Sequence, residues 1–89
     1  MSILIDDAIW LAHGRLWAHL VSDQSLEELH AFARRTQLPE RSFDRDHYDV
    51  PEDAVPRLLA AGAEHVGGKE LVRRLISSGL RIPARDRRG

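Results

Sequence analysis

Apolar positions along the 89 residues change their spacing several times, and each change marks an element. Residues 2–6, SILID, form a short apolar run stopped by charge, which predicts a strand. In LWAHLV, 16–21, Leu16, Ala18 and Leu20 alternate with Trp17, His19 and Val21, so both faces are largely apolar. Such a strand is covered on both sides and lies centrally in its sheet. Between the two, AIWLAHGR, 8–15, reads as a loop that turns at Gly14.

The spacing then becomes helical. Over residues 25–38, Leu26, Leu29, Phe32 and Ala33 form one apolar stripe. Ser25 and Glu28 have capping-box spacing, in which each side chain satisfies a backbone N–H of the other. Residues 46–50, DHYDV, alternate again and predict a strand ended by Pro51. Pro56 cannot sit inside a helix, because it lacks a donor and clashes with the preceding turn. The next helix therefore starts near Asp53 as N-cap and stops at Gly62. AEHV, 63–66, is a short strand. Residues 69–78 form a last helix burying Leu71, Val72, Leu75 and Ile76, capped by Gly79.

The order is β-β-α-β-α-β-α. It predicts a single small α/β domain over residues 1–80, with helices packed on a mostly parallel four-stranded sheet. Residues 81–89 read as a basic, flexible tail. The apolar fraction of 43% is enough for a compact core. There is no cysteine, hence no disulfide and no thiolate metal site. No basic n-region or long apolar run marks a signal peptide or membrane span, so the expectation is a cytoplasmic protein that does not enter membranes.

Net charge is −1 but unevenly placed. Residues 1–53 carry eleven acids and five bases (−6), and residues 54–89 carry three acids and eight bases (+5). The basic end attracts phosphates in principle, although a solvated helix face gives the same pattern.

The chemistry concentrates in DRDHYDVP, 44–51. On a strand, residues i and i+2 share a face, so His47 and Asp49 stand together while Tyr48 and Val50 face the other way. An imidazole beside a carboxylate offers two ligands for a divalent ion, or a base with a neighbour that raises its pKa. A third ligand is needed. His19, on an adjacent strand, is one candidate, and Asp6 and Asp7 at the end of the first strand are others. The competing reading makes Asp49 and Asp53 helix-priming acids and His19 a hydrogen-bonded core histidine. His30 lies on the flank of its helix's buried face. His13 and His65 read as loop and edge residues. Arg15 offers a guanidinium to a phosphate or carboxylate, and Trp10 and Trp17 flank the loop where a pocket or interface would be covered. VGGKEL, 66–71, presents backbone N–H groups and Lys69 to an anion but is not a Walker loop.

DDAIW, GRLWAHLVSD, LEELHAFARRTQL, DHYDVPE, LLAAGAEHV and ELVRRL together resemble the domain of unknown function 4031 family, found in bacteria and phages, over about residues 3–76. Carried over residue by residue, the resemblance places the family's polar signature on Asp6, His19, Asp23, Glu28, His30, His47, Tyr48 and Asp49. The family has Ser or Thr where this chain has Gly67 and Gly68, and Pro56 is a further departure. The resemblance implies no function, although relatives occur beside hydrolase-like domains. It does raise His19, His30 and His47 as a cluster.

Two function classes follow. One is a ligand-binding or regulatory module, expected as a homodimer with an apolar patch near Trp10 or Trp17. The other is a metal-dependent hydrolase of a phosphoester or nucleotide, with His19, His47 and Asp49 as catalytic and metal-binding residues. In that class Asp6 is a further ligand, and His30, Arg15 and Tyr48 are further binding residues. A small-molecule or phosphate-containing ligand suits either class. Nucleic acid, reached through the tail, ranks third. The decisive point is whether His19 and His47 share a face of the sheet.

Overall fold

Residues 2–81 are described by a computed structural model, so the tail expected over 81–89 lies, Arg81 apart, outside the described residues. The strands are β1 (Ile3–Ile5), β2 (Trp10–Ala12), β3 (Arg15–Ser22), β4 (Phe43–Asp44), β5 (His47–Pro51) and β6 (Glu64–His65). The helices are α1 (Leu26–Arg35), α2 (Val55–Ala60) and α3 (Gly68–Ser78). All six strands form one sheet, ordered β4-β5-β3-β1-β6, with β2 also paired to β3.

The α/β class and the central place of β3 agree with the sequence. The mostly parallel four-stranded sheet does not: the sheet has six strands, and only β1 and β6 pair in parallel. Two turns account for the difference. His13 (φ 52°) and Gly14 (φ 77°) join β2 to β3. Positive φ at both central residues is the two-residue turn whose twist suits a hairpin. The segment expected as a loop is therefore largely a strand. The second turn is at Arg45 (φ 61°), which reverses the chain between β4 and β5. Without that reversal the strand after α1 would run parallel to β3; with it, β5 runs antiparallel.

Trp17 pairs with both Trp10 and Pro51, and Leu20 with both Ile5 and Tyr48. Hence β1 and β2 lie end to end along one edge of β3, with β5 on the other. Between them the register slips, and Asp6 fills the gap. Its backbone N–H donates to the His19 carbonyl at 3.2 Å, and its Oδ1 accepts the His19 N–H at 2.6 Å. A side-chain oxygen thus stands where a ladder carbonyl would be.

The two faces of the sheet are covered unequally. Ile3, Ile5, Ala18, Leu20, Tyr48 and Val50 pack against Leu29, Phe32 and Ala33 of α1 and Leu58 of α2. On the opposite face Leu4 and Val21 meet Leu71 and Leu75 of α3. The stripe on α3 is narrower than expected, and Val72 and Ile76 are 36% and 58% exposed, because only one end of this face lies beneath the helix. Arg74 of α3 is tied to Asp23 at 2.6 Å, and Asp23 also accepts the Ser2 N–H at 2.8 Å. The capping box of α1 forms by half. Ser25 Oγ accepts the Glu28 N–H at 3.0 Å, but the Glu28 carboxylate takes the Ser22 hydroxyl, and Ser22 Oγ accepts the Ser25 N–H.

Candidate metal centre

The part of the sheet that α3 leaves open carries the polar residues. His19 on β3 pairs directly across from Asp49 on β5. His47, two residues before Asp49, shares its face. The rings of His19 and His47 lie 5.2 Å apart, edge to face. One nitrogen or carboxylate oxygen from each of His19, His47 and Asp49 falls within 4.8 Å of the others. Ligands held at about 2.1 Å in a tetrahedral site lie about 3.4 Å apart, so gripping an ion would draw the trio closer together.

Each imidazole is oriented by a carboxylate. His19 Nδ1 lies 2.9 Å from Asp6 Oδ2, which leaves Nε2 as the ring nitrogen for a ligand. His47 Nδ1 lies 2.7 Å from Asp46 Oδ1, while its Nε2 faces Asp49 Oδ1 at 3.1 Å. Carboxylate–histidine pairs of this kind fix the tautomer and raise the basicity of metal-ligating histidines. Burial pulls the His47 pKa down, but hydrogen bonds and charge from Asp49 and Asp46 outweigh it and hold it above 6.5. Each ring nitrogen of His47 thus faces a carboxylate, and a metal entering at Nε2 would take the place of any proton there. Trp10 stacks on His19, with ring centroids 6.0 Å apart and planes 6° from parallel.

Four candidates therefore converge: Asp6, His19, His47 and Asp49. Three do not. His30 Nδ1 and the Tyr48 hydroxyl meet at 2.7 Å on the α1 face, with Phe43 edge-on to the His30 ring at 4.6 Å. His30 and His19 thus lie on opposite faces of the sheet, since Tyr48 packs in the α1 core while His19 does not. Arg15 sits at the start of β3 with its guanidinium 6.0 Å from the Trp17 ring centroid. Asp7 joins the exposed His65 at 2.6 Å. The glycine turn before α3 lies beside Asp6. A β-carbon at Gly68 would stand 3.9 Å from Asp6 Oδ2, so that helix terminus already faces a carboxylate of the chain.

Asp46 was not anticipated. Strand alternation sends adjacent side chains to opposite faces, which separates it from His47. The turn at Arg45 breaks that alternation and brings the buried carboxylate back to Nδ1. The signal available was charge: three consecutive charged residues, Asp44, Arg45 and Asp46, directly before a buried strand.

A cavity of about 390 Å³ opens on the Asp6, His19 and His47 side, walled by Val21, Leu71 and Leu75. No helix among the described residues is long and apolar enough to cross a membrane. The family described as "Protein of unknown function (DUF4031)" matches residues 3–78. Comparison with curated proteins and with solved structures gave no match.

Proposed function

From the premise that the chain belongs to a family of unknown function, DUF4031, we propose that it is a metal-dependent hydrolase centred on His19, His47 and Asp49. One observation carries this reading: two imidazoles have Nδ1 held by a carboxylate, and one nitrogen from each and an Asp49 oxygen gather within 4.8 Å. Two nitrogens and one oxygen suit zinc and similar first-row ions, and three protein ligands leave a position for water. His19, His47 and Asp49 would hold the ion, which when bound would lower the pKa of a water and so supply a nucleophile near neutral pH. In phosphoester hydrolysis the water oxygen bonds to phosphorus, the ester P–O bond breaks, and the alkoxide departs with the water's proton. Asp6 and Asp46 orient the imidazoles.

A thermal-shift screen with zinc, manganese and magnesium tests the proposal. The melting temperature of the wild-type protein rises with zinc or manganese, and that rise disappears in His19→Ala and His47→Ala. Equal shifts in wild type and variants would remove the metal from these residues.

The reading as a homodimeric binding module keeps one supporting observation. Ile9, Trp10 and Leu11 are 80%, 46% and 69% exposed along the β2 edge, an apolar strip that a second copy would cover. Light scattering at micromolar concentration returns twice the monomer mass if it does, and the monomer mass if it does not.

A further inference from the structure

Beside Asp49 lie two hollows that share lining residues, the second reaching round the sheet to α2. The first, about 250 Å³, is bounded by Asp49, Trp10, Trp17 and Arg41. The second, about 340 Å³, shares Trp17, Arg41 and Ser42 with the first and adds Arg15 and Arg57. Arg57 is engaged, donating to the Thr36 carbonyl at 3.0 and 3.2 Å. Arg15 and Arg41 are exposed, and among the described residues neither has an ion pair. Asp53 is an acid in the second hollow, and Asp49 in the first already faces His47.

These groups ask for two kinds of partner at once. A guanidinium fork matches the oxygens of a phosphate or carboxylate. Indole faces take planar π systems, and a base stacked on an aromatic side chain contributes about 1–3 kcal/mol. In one ligand the two are joined when a planar base is linked to a phosphate. The aromatic and cationic walls adjoin the metal ligands through Asp49, which lines the first hollow together with Arg41.

We infer that the substrate class is a nucleoside phosphate, free or within a short single strand, whose base lies against Trp17 and Trp10 and whose phosphate lies between Arg41 and the His19–His47–Asp49 centre. Arg15 and Arg41 are recognition residues; they act on binding and hold no metal. The phosphate's contact with the ion rests on the hydrolase reading above, whereas the indole and guanidinium contacts do not.

Trp10 and Trp17 are the chain's two tryptophans, so their fluorescence reports the hollow directly. The experiment titrates adenosine monophosphate, adenosine and a four-nucleotide thymidine strand into the full chain, with zinc and with chelator. Saturable quenching by the phosphorylated probes is expected, with adenosine weaker by about tenfold or more. Arg41→Ala weakens the phosphorylated probes by about tenfold and leaves zinc uptake unchanged. Arg15→Ala shifts binding in the same direction, and added salt weakens it. Tighter binding of the strand than of the mononucleotide identifies a nucleic-acid source, and the reverse order a free nucleotide. Absence of quenching, or equal affinities in wild type, Arg15→Ala and Arg41→Ala, overturns the inference whatever zinc does. Quenching that depends on Arg41 but not on zinc or His19 overturns the hydrolase reading and leaves nucleotide recognition standing.

Discussion

Asp46 is the residue on which His47 depends. Its side chain is fully buried, and it accepts from Nδ1 at 2.7 Å. Replacing it with Asn keeps the volume but removes the charge that fixes the imidazole. Zinc affinity in Asp46→Asn should fall by about 10–100-fold, read by competition with a chromophoric chelator, while the fold persists by circular dichroism. Asp23 offers a test at a different point. Burial raises its pKa, but the Ser2 N–H and Arg74 outweigh this and hold it below the ordinary 3.8. A depressed folded pKa gives stability that is present above the unfolded value and lost as pH falls through the folded one. Urea titrations should therefore show wild type more stable than Asp23→Asn at pH 7, with the gap closing as pH drops below about 4.

Among the elements, α1 was legible because its stripe, cap and breaker agree: Leu29, Phe32 and Ala33 are buried, and Ser25 caps the Glu28 N–H. The pairing of His47 with Asp49 on one face was equally legible, since strand alternation alone dictates it. Directions within the sheet were not. Both turns that set them carry non-glycine residues at positive φ, His13 and Arg45, where sequence patterns look for Gly or Asn. The face of His30 was not legible either, because both faces of β3 are apolar and the pattern does not say which of them α1 covers. The hairpin turn is testable by itself. Gly14→Val places a β-branched residue at φ 77° and should lower stability by about 1–2 kcal/mol in urea unfolding. It should also disturb Trp10 against His19, seen as a shift in tryptophan emission.

For the whole molecule, the unequal covering of the sheet ties stability to function. Leu20 is fully buried beneath α1, whereas the His19 side chain is 38% exposed on the face that α3 leaves open. Leu20→Ala should cost about 2–5 kcal/mol, and His19→Ala much less, by thermal or urea unfolding. A site that holds little of the core can be altered without unfolding the domain, which makes ligand substitutions interpretable. The most direct measurement is anomalous diffraction at the zinc edge from crystals soaked in zinc. The account predicts one ion bound by His19 Nε2, His47 Nε2 and an Asp49 oxygen at about 2.0–2.2 Å, with Asp6 and Asp46 still on the two Nδ1 atoms. Zinc bound elsewhere, such as at Asp7 and His65, with none between His19 and His47, would contradict it.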